Sequence, residues 1–342
     1  MKKILLLGMF SLLIFSCKSD NKVKNVEHAF YYWKSGSWIF DDKLDTILKQ
    51  TKTQKLYVKF FEIENNDLMG NIPISKNRIR FYNKDIEVIP TIFIKNDVFL
   101  KSTLKDLDLL ADNINYLINK FIKEDFDKEV LVKEFQMDCD WTIKSKDNYF
   151  YFLRKIKLIS NKSISCTLRL YPYKYRNKMG IPPVNNVMLM CYNLLNPLEN
   201  PKQNSILDIN ELSKYLNVSK KYPKHIDVAL PIYSWMQLYQ NNQFQGVIYS
   251  SHSYLIKNMK KIDSLWYEAT QDVKTDNNYI RIGDKIKYEQ VTKETIDKTI
   301  TLLKKNLDFD DTTTIALFHL DDDQLQKYSN EEIISFYTSF SK

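Results

Sequence analysis

The amino-acid sequence predicts a (β/α)8 TIM barrel with a small β-rich insertion after its seventh strand. Eight short apolar runs, typical of parallel strands that are buried on both faces, alternate along the chain with segments of helical periodicity. Residues 27–342 are long enough for one such barrel, which takes about 250 residues, and for an insertion. The same alternation also allows an open, doubly wound sheet, which is the alternative fold.

The predicted strands are short runs of mostly apolar residues, many of them β-branched or aromatic. In chain order they are His28–Trp33, Lys55–Glu62, Ile86–Phe93, Val132–Asp140, Ile164–Tyr171, Asn186–Tyr192, His225–Ile232 and Thr313–His319. Helical spacing of apolar residues predicts helices at Asp41–Thr51, Leu104–Ile122, Asp147–Ser160, Asp208–Leu216, Lys293–Leu307 and Glu331–Phe340. The connections after the second and fifth strands have no regular helical pattern.

The segment Phe244–Val291 interrupts the alternation between the seventh strand and the helix that follows it. It contains the strand-like runs Gln245–Tyr249 and Tyr279–Lys287, and Gly283-Asp284 predicts a turn within the second run. We therefore expect residues 244–291 to form an inserted lobe within a TIM-barrel domain of residues 27–342.

Residues 1–17 have the parts of a secretory signal peptide. Two lysines precede an apolar run of about 12 residues, and the small residue Ser16 precedes Cys17. The run is short for a bilayer-spanning helix, which takes roughly 20 residues. The stretch Ile14-Phe15-Ser16-Cys17 resembles a bacterial lipobox, which implies cleavage before Cys17 and acylation of Cys17, for instance by palmitate. Polar residues 18–26 are expected to form a flexible tether.

The composition around this N-terminus is similar to that of Bacteroidota lipoproteins, which are rich in Lys, Asn and Ile and carry charge just after the acylated cysteine. That resemblance implies an exported protein anchored by lipid to the outer membrane or the cell surface. Several acyl chains on one cysteine would give stable anchoring, since a single chain binds a membrane only marginally.

Composition and spacing exclude several other classes of function. The formal net charge is +8, but charges of both signs are interspersed, so the chain has no basic stripe for nucleic acid. Only 6 glycines are present and none forms a phosphate-binding loop, so we expect no cofactor. The histidines are isolated and no CxxC motif occurs, so no metal site is predicted. Cys139, Cys166 and Cys191 are expected to be buried free thiols.

Active sites of (β/α)8 barrels lie at the carboxyl ends of the strands, and acidic residues occur there in this sequence. Asp138 and Asp140 end strand four on one face, because side chains alternate along a strand. Arg169 and Tyr171 end the neighbouring strand five, so Arg169 is placed to pair with the aspartates. Glu62 ends strand two. Asp138, Asp140 and Glu62 are the candidate catalytic residues; solvated loop acids or a structural Asp–Arg pair are the alternatives.

Aromatic side chains follow several of the same strands. Aromatics make up 13% of the chain, and most of them are expected in the core. Rings around a barrel end, with a few directional polar groups among them, suit a carbohydrate, whose C–H faces stack on rings. The candidate substrate-binding residues are Trp33, Trp141, Arg169, Tyr171, Tyr192, Asn193, Tyr233 and Trp235.

Three short motifs resemble glycoside hydrolase family 18, the chitinase-like barrels. The DxDWE end of strand four in that family resembles Asp138-Cys139-Asp140-Trp141. Its MxY[DN] motif on strand six resembles Met190-Cys191-Tyr192-Asn193, and its LPxY motif on strand seven resembles Leu230-Pro231-Ile232-Tyr233. The resemblance implies a TIM barrel in which the Glu that closes DxDWE is the general acid and the substrate's N-acetyl group is the nucleophile. The corresponding residue here is Thr142, which cannot protonate a leaving group at neutral pH.

These observations leave three hypotheses for an envelope protein whose expected partners are a glycan and, through its anchor, a membrane. The first is a glycoside hydrolase-like enzyme in which Asp138 or Asp140 replaces the missing acid. The second is a non-catalytic glycan-binding lipoprotein, favoured by the loss of the Glu at position 142. The third is a structural component of the envelope, in which the acids only hold the end of the barrel together.

Overall fold

The computed structural model describes residues 23–34, 36–39, 42–218, 220–248, 252–275 and 278–341. Eight parallel strands form its centre: β1 (Asn25–Tyr32), β2 (Lys55–Asn66), β3 (Glu87–Ile94), β4 (Glu134–Asp138), β5 (Ser163–Arg169), β6 (Asn186–Met190), β7 (His225–Pro231) and β8 (Thr312–Phe318). Each strand pairs with the next, and β1 pairs with both β2 and β8. The sheet is therefore closed, which confirms the (β/α)8 TIM barrel and excludes the open sheet.

Most helices lie between the barrel strands and bury one face against the barrel, while His252–Lys257 packs against the inserted sheet after β7. Their bounds are Asp42–Gln50, Asn96–Lys101, Leu104–Asp125, Lys146–Ser160, Leu170–Lys174, Arg176–Met179, Ile209–Leu216, His252–Lys257, Lys293–Asn306, Asp322–Leu325 and Asn330–Thr338. Leu104–Asp125 shows why such segments are helical: Thr103 and Asp106 form a capping box at its start, and its buried apolar residues recur at helical spacing. Among the helices of the described ranges, none combines the length and apolarity that a membrane crossing requires.

The core lies between the outer faces of the barrel strands and the helices. Cys139, Cys166 and Cys191 are buried there as free thiols, as predicted. Side chains on the inner faces of the strands fill the barrel. Gln136 and Thr167 are examples, and both are fully or almost fully buried.

Strand β2 is longer than the sequence predicts, and the chain turns after it to form a hairpin. It continues to Asn66 and pairs antiparallel with Gly70–Ile74, which forms a hairpin at the carboxyl end of the barrel. The pairing register with β3 shifts between Lys59 and Phe61. Because a bulge adds one residue to the strand, Lys59 and Glu62 both face the barrel interior although they are three residues apart.

The insertion after β7 contains a separate antiparallel sheet, which we call the lobe (residues 235–289). Its five strands are Trp235–Gln240, Gln243–Ile248, Met259–Lys261, Trp266–Ala269 and Lys285–Glu289. Two further pairs of short strands are present, Val273–Lys274 with Tyr279–Ile280 in the lobe and Ser37–Ile39 with Arg78–Arg80 beside the barrel. The predicted insertion is thus present, and its sheet includes a strand, Trp235–Gln240, that comes before residue 244.

The chain enters the barrel at the end opposite the carboxyl ends of the strands. Val23 is buried and its N–H donates to the Phe340 carbonyl at 3.1 Å, while Lys24 pairs with Asp311. Residues 25 and 26 already belong to β1 and pair with β8. Residues 23–26 of the predicted 18–26 tether are therefore part of the folded barrel. The predicted signal peptide, residues 1–17 with Cys17, lies outside the described residues.

Candidate functional site

Asp138 lies at the carboxyl end of β4 and faces the inside of the barrel mouth, the end where the carboxyl ends of the eight strands meet. Thr167 on the neighbouring strand β5 donates a hydrogen bond from Oγ1 to Asp138 Oδ1 at 2.6 Å. Burial and, to a lesser extent, the nearby carboxylate of Asp140 raise the pKa of Asp138 to about 7, against the lowering effects of the Thr167 hydrogen bond and the charge of Arg169. Asp138 is therefore a carboxyl group that is partly protonated at neutral pH.

Asp140 and Arg169 form an ion pair beside Asp138, as the strand order predicted. Arg169 Nε lies 3.1 Å from Asp140 Oδ1, and the side chains are 31% and 59% exposed, respectively. Strand β4 ends at Asp138, so Asp140 follows the strand and extends into solvent. The site thus holds one buried carboxyl group and one exposed carboxylate next to a cation.

Glu62 lies on the same inner rim, two strands away from Asp138. In the pairing register Glu62 is beside Phe93, and Phe93 is beside Asp138, which places the two backbones roughly 10 Å apart along the sheet. Lys59 Nζ binds Glu62 Oε1 at 2.7 Å, and the Lys59 side chain is almost entirely buried. Sequence analysis missed Lys59, although a lysine within the apolar run of β2 was a visible sign that it faces a polar group.

A row of hydrogen-bonded side chains lies beneath Asp138 inside the barrel. The Tyr31 hydroxyl donates to Gln136 Oε1 at 2.6 Å, and Gln136 Nε2 donates to Ser165 Oγ at 3.3 Å. Ser165 in turn donates to the buried carboxyl group of Glu134. Burial raises the pKa of Glu134 to about 7, so this acid is also partly protonated near neutrality. The barrel interior below the mouth therefore contains a connected row of buried polar groups.

Aromatic rings occupy the other side of the mouth and meet at Phe318, the last residue of β8. Its ring centroid lies 5.8 Å from Trp33, 4.9 Å from Tyr192 and 5.7 Å from Tyr233. Sequence analysis did not single out Phe318. Strand alternation could have found it, because Thr314, Ala316 and Phe318 share the inner face of β8.

Next to Phe318 the structure brings together four of the predicted substrate-binding residues, Tyr192, Asn193, Tyr233 and Trp235. The Tyr233 hydroxyl donates to Asn193 Oδ1 at 2.5 Å, and the Tyr233 ring lies 6.0 Å from that of Trp235. Asn193 has a φ of 53°, a left-handed conformation that its short polar side chain tolerates. Trp235 Nε1 donates to the buried carboxylate of Glu289, which joins the mouth to the lobe.

Trp141 and Tyr171 lie apart from these rings. Trp141 is only 4% exposed; its Nε1 donates to the Met179 carbonyl at 3.3 Å and its ring packs 5.4 Å from Tyr149. Strand β5 ends at Arg169 instead of continuing to Tyr171, which lies in the helix Leu170–Lys174 and contacts Tyr175 at 4.6 Å. Because the helix begins there, Tyr171 does not share the inner face of Thr167 and Arg169.

Thr142, which stands where the resemblance places a catalytic Glu, belongs to the turn that starts the next helix. Its N–H donates to Ser145 Oγ at 2.9 Å, and its carbonyl accepts from the Lys146 N–H at 2.9 Å. The role of Thr142 in the structure is thus to start the helix Lys146–Ser160. Within the ranges that the structure describes, no group of three or more His, Cys, Asp or Glu side chains is arranged to hold a metal ion.

Comparisons with known proteins give distant structural likenesses. No protein-family model matches the sequence, and no curated protein matches it. The chain is similar to a GH113 β-1,4-mannanase, with 10% identity, a TM-score of 0.46, and 94% of this chain and 100% of that one covered. It is also similar to the chitinase domain of the spore coat protein CotE from Clostridium difficile, with 11% identity, a TM-score of 0.38 and 86% of each chain covered. A xylanase-α-amylase inhibitor protein has 10% identity and a TM-score of 0.43 over 93% of this chain and 97% of that one.

Proposed function

We propose that the barrel mouth binds a glycan and that Asp138 is the proton donor of a glycoside hydrolase-like site. The observation that carries this proposal is the buried Asp138 carboxyl group beside the Asp140–Arg169 ion pair, opposite a cluster of aromatic rings. A pKa of about 7 leaves Asp138 with a proton to give to a glycosidic oxygen at neutral pH. Asp140 or Glu62 supplies the second carboxylate that most glycoside hydrolysis requires.

The rings at the mouth support a glycan as the ligand. Trp33 and Trp235 are only partly buried, so each keeps some ring surface for the C–H face of a sugar. Arg169, Asp140 and Asn193 add donors and acceptors for hydroxyl groups at the same rim. A pocket that combines ring faces with a few directional polar groups fits a sugar better than it fits a fully apolar or a strongly charged ligand.

A binding protein without catalysis is the second candidate, and the ion pairs favour it. Both candidate second carboxylates are already engaged, Asp140 by Arg169 and Glu62 by Lys59. A carboxylate held by a cation is a weaker nucleophile or base than a free one. In that case Asp138 and Arg169 serve only to bind sugar hydroxyls, which agrees with the absence of a Glu at position 142.

The test is a glycan-array screen of residues 18–342, followed by measurement of reducing-end release on every glycan that binds. For a catalytic acid, Asp138→Asn should preserve binding and lower release by about 10²-fold or more. Asp147→Asn, at an exposed acid on the helix Lys146–Ser160, is the matched control and should change neither. Binding without release by the unaltered protein would establish the second candidate. Binding to no glycan would overturn both.

We also propose that the protein is a lipoprotein anchored through Cys17 to the outer membrane or the cell surface. The lipobox-like sequence supports this, and so does the position of Val23 at the barrel end opposite the mouth. Five residues lie between Cys17 and Val23, and the six Cα-to-Cα steps that join them reach at most about 22 Å. An anchor there would keep the end of the barrel opposite the mouth near the membrane and would leave the mouth open to solvent.

Membrane fractionation of cells labelled with palmitate tests the anchor. Cys17→Ser should abolish labelling and move the protein to the soluble fraction. Cys191→Ala, which removes a buried free thiol, is the matched control and should leave labelling unchanged. Labelling that survives Cys17→Ser would refute the anchor while leaving the glycan site untouched.

A further inference from the structure

Positive charge is concentrated in one part of the chain. The whole sequence has 50 Lys and Arg against 42 Asp and Glu, and the two signs are interspersed over most of it. Residues 148–198, in contrast, contain 8 Lys and Arg and no acid, and residues 148–224 contain 13 Lys and Arg and 3 acids. The excess in this second range is larger than the net charge of +8 of the whole chain, so the remaining residues together are slightly acidic.

The fold gathers several of these bases on the outer wall of the barrel, at the helices that follow β5 and β6. Lys174 Nζ donates to the Lys214 carbonyl at 2.8 Å, and Arg176 donates to the carbonyls of Lys220 and Lys221 at 2.9 and 2.7 Å. These contacts hold the two connections side by side. We call this region the basic surface, and its residues are Tyr171, Lys174, Tyr175, Arg176, Lys178, Lys214, Tyr215, Lys220 and Lys221.

The charge of the basic surface is only partly neutralised. Glu211 pairs with Lys214 at 2.6 Å, and Asp310 pairs with Lys221 at 3.0 Å. The carbonyl groups that accept from the other bases carry no net charge. The six bases therefore outnumber these two acidic partners by four, and four of the six bases are exposed, so the surface presents a positive field to solvent.

Two tyrosine rings lie exposed among these charges. Tyr171 and Tyr175 are 42% and 41% exposed, and their ring centroids lie 4.6 Å apart. Lys174 Nζ lies 5.2 Å from the centroid of the Tyr175 ring and 5.8 Å from that of Tyr215. Tyrosine combines an apolar ring with a hydroxyl that stays in water, which suits the boundary between a membrane and water. Lysine and arginine beside such rings suit the phosphates of anionic lipid headgroups.

The basic surface reaches the end of the barrel at which the chain enters it. Asp310, the partner of Lys221, is followed by Asp311, and Asp311 pairs with Lys24 at 2.8 Å. Val23 and Lys24, which begin the described part of the chain, therefore lie next to the basic surface. An acyl chain on Cys17 would bring a bilayer to the same end of the barrel.

We propose that the basic surface binds a bilayer of anionic lipids, with its bases at the headgroup phosphates and the rings of Tyr171 and Tyr175 between the headgroups. The choice of a bilayer rests on the proposed anchor through Cys17, while the charges and the rings belong to the folded barrel itself. Each base close to an anionic membrane adds about fivefold to the affinity, and salt weakens this attraction. Tyr171, which does not face the inside of the barrel, would then contact lipid instead of a sugar.

Flotation of residues 18–342 with lipid vesicles tests the basic surface without the anchor, because this fragment lacks Cys17. The closed barrel lies wholly within residues 23–341 and is therefore complete in the fragment. The vesicles contain phosphatidylcholine alone or with about 30% phosphatidylglycerol, at about 0.1 M or about 0.5 M salt. We expect binding to the anionic vesicles at the lower salt, loss of that binding at the higher salt, and no binding to phosphatidylcholine alone.

Two pairs of substitutions locate the binding surface. Lys178→Gln combined with Lys220→Gln should weaken binding to the anionic vesicles about 25-fold, which is roughly fivefold for each base removed. Lys105→Gln combined with Lys123→Gln, at exposed lysines of the helix Leu104–Asp125, is the matched control. It lowers the net charge equally and should change binding little. Equal effects of the two pairs would show that only the net charge matters and would overturn the proposal.

A ring variant and a soluble competitor distinguish a bilayer from other polyanions. Tyr171→Ala should weaken vesicle binding at the lower salt, although it leaves the net charge unchanged. If Tyr171→Ala binds normally and dextran sulfate of equal charge displaces the protein completely, the surface binds polyanions in general and the bilayer is the wrong partner. Binding to phosphatidylcholine alone, or to neither kind of vesicle, would also refute the proposal.

The anchor is decided separately by palmitate labelling of the full chain. A labelled protein whose fragment 18–342 does not bind anionic vesicles refutes the basic surface and leaves the anchor standing. A fragment that binds these vesicles, from a full chain that takes up no label, refutes the anchor and supports the basic surface.

Discussion

Thr167 Oγ1 donates a hydrogen bond to Asp138 Oδ1 at 2.6 Å, and this bond opposes the burial that raises the pKa of Asp138 to about 7. The two residues end neighbouring strands of the barrel, so the bond depends on the register of β4 with β5. It stabilises the carboxylate form of Asp138 and thereby limits the upward shift of the pKa.

Replacing Thr167 by Val should therefore raise the pKa of Asp138 further. In the proposed mechanism Asp138 donates its proton as the catalytic acid, so the rate of glycan hydrolysis should fall as pH rises through the pKa of Asp138. In Thr167→Val this fall should move to higher pH by up to about one unit, which corresponds to one hydrogen bond to a charged group. The pH profile of reducing-end release measures the shift. A shift to lower pH would show that Thr167 does not act on Asp138 in this way.

Glu134 should reduce the stability of the barrel at neutral and higher pH. Burial raises its pKa from 4.5 to about 7, so the folded protein holds this proton more tightly than the unfolded chain does. The free energy of unfolding contributed by Glu134 therefore falls as pH rises from 4.5 to 7, and the full penalty remains above pH 7.

Glu134→Gln removes that penalty and can still accept the hydrogen bond of Ser165. We expect the substitution to raise the free energy of unfolding by about 2 kcal/mol at pH 8 and to change it little at pH 4. Chemical denaturation at the two pH values measures this, with Glu129→Gln, at an exposed acid, as the control. Destabilisation at pH 8 would contradict the expectation.

Lys287 and Glu289 form an ion pair in which neither side chain is exposed to solvent. Lys287 Nζ also donates to the carbonyl of Asn200, at 2.8 Å, while Glu289 accepts from Ser205 and Trp235. Lys287→Met leaves the Glu289 charge buried without its partner, which costs about 3 kcal/mol of unfolding free energy. It should also expose the segment 194–205 to proteolysis.

Lys285→Met is the matched control, because Lys285 lies two residues earlier on the same strand and is only partly buried. Thermal unfolding and limited proteolysis should separate the two variants. Equal stability of Lys287→Met and Lys285→Met would show that the buried pair does not hold the lobe against the segment 194–205.

The sequence by itself determined the order and the approximate limits of the eight barrel strands. Strands buried on both faces need a continuous apolar run, and that property is local in the chain. The strand order then brought Arg169 next to Asp140 without any knowledge of side-chain packing, since consecutive strands of this fold are neighbours. The positions of Tyr192 and Tyr233 at the same rim follow from the same rule.

Only the tertiary structure decided which side chains face the mouth. The bulge in β2 brought Lys59 to Glu62, and the helix that begins at Leu170 took Tyr171 off the inner face. Trp141 packs on Tyr149 in the core, away from the rings around Phe318. The physical reason is that a shift of one residue in a strand reverses the direction of every side chain after it, and such shifts depend on pairing between segments that are far apart in the sequence.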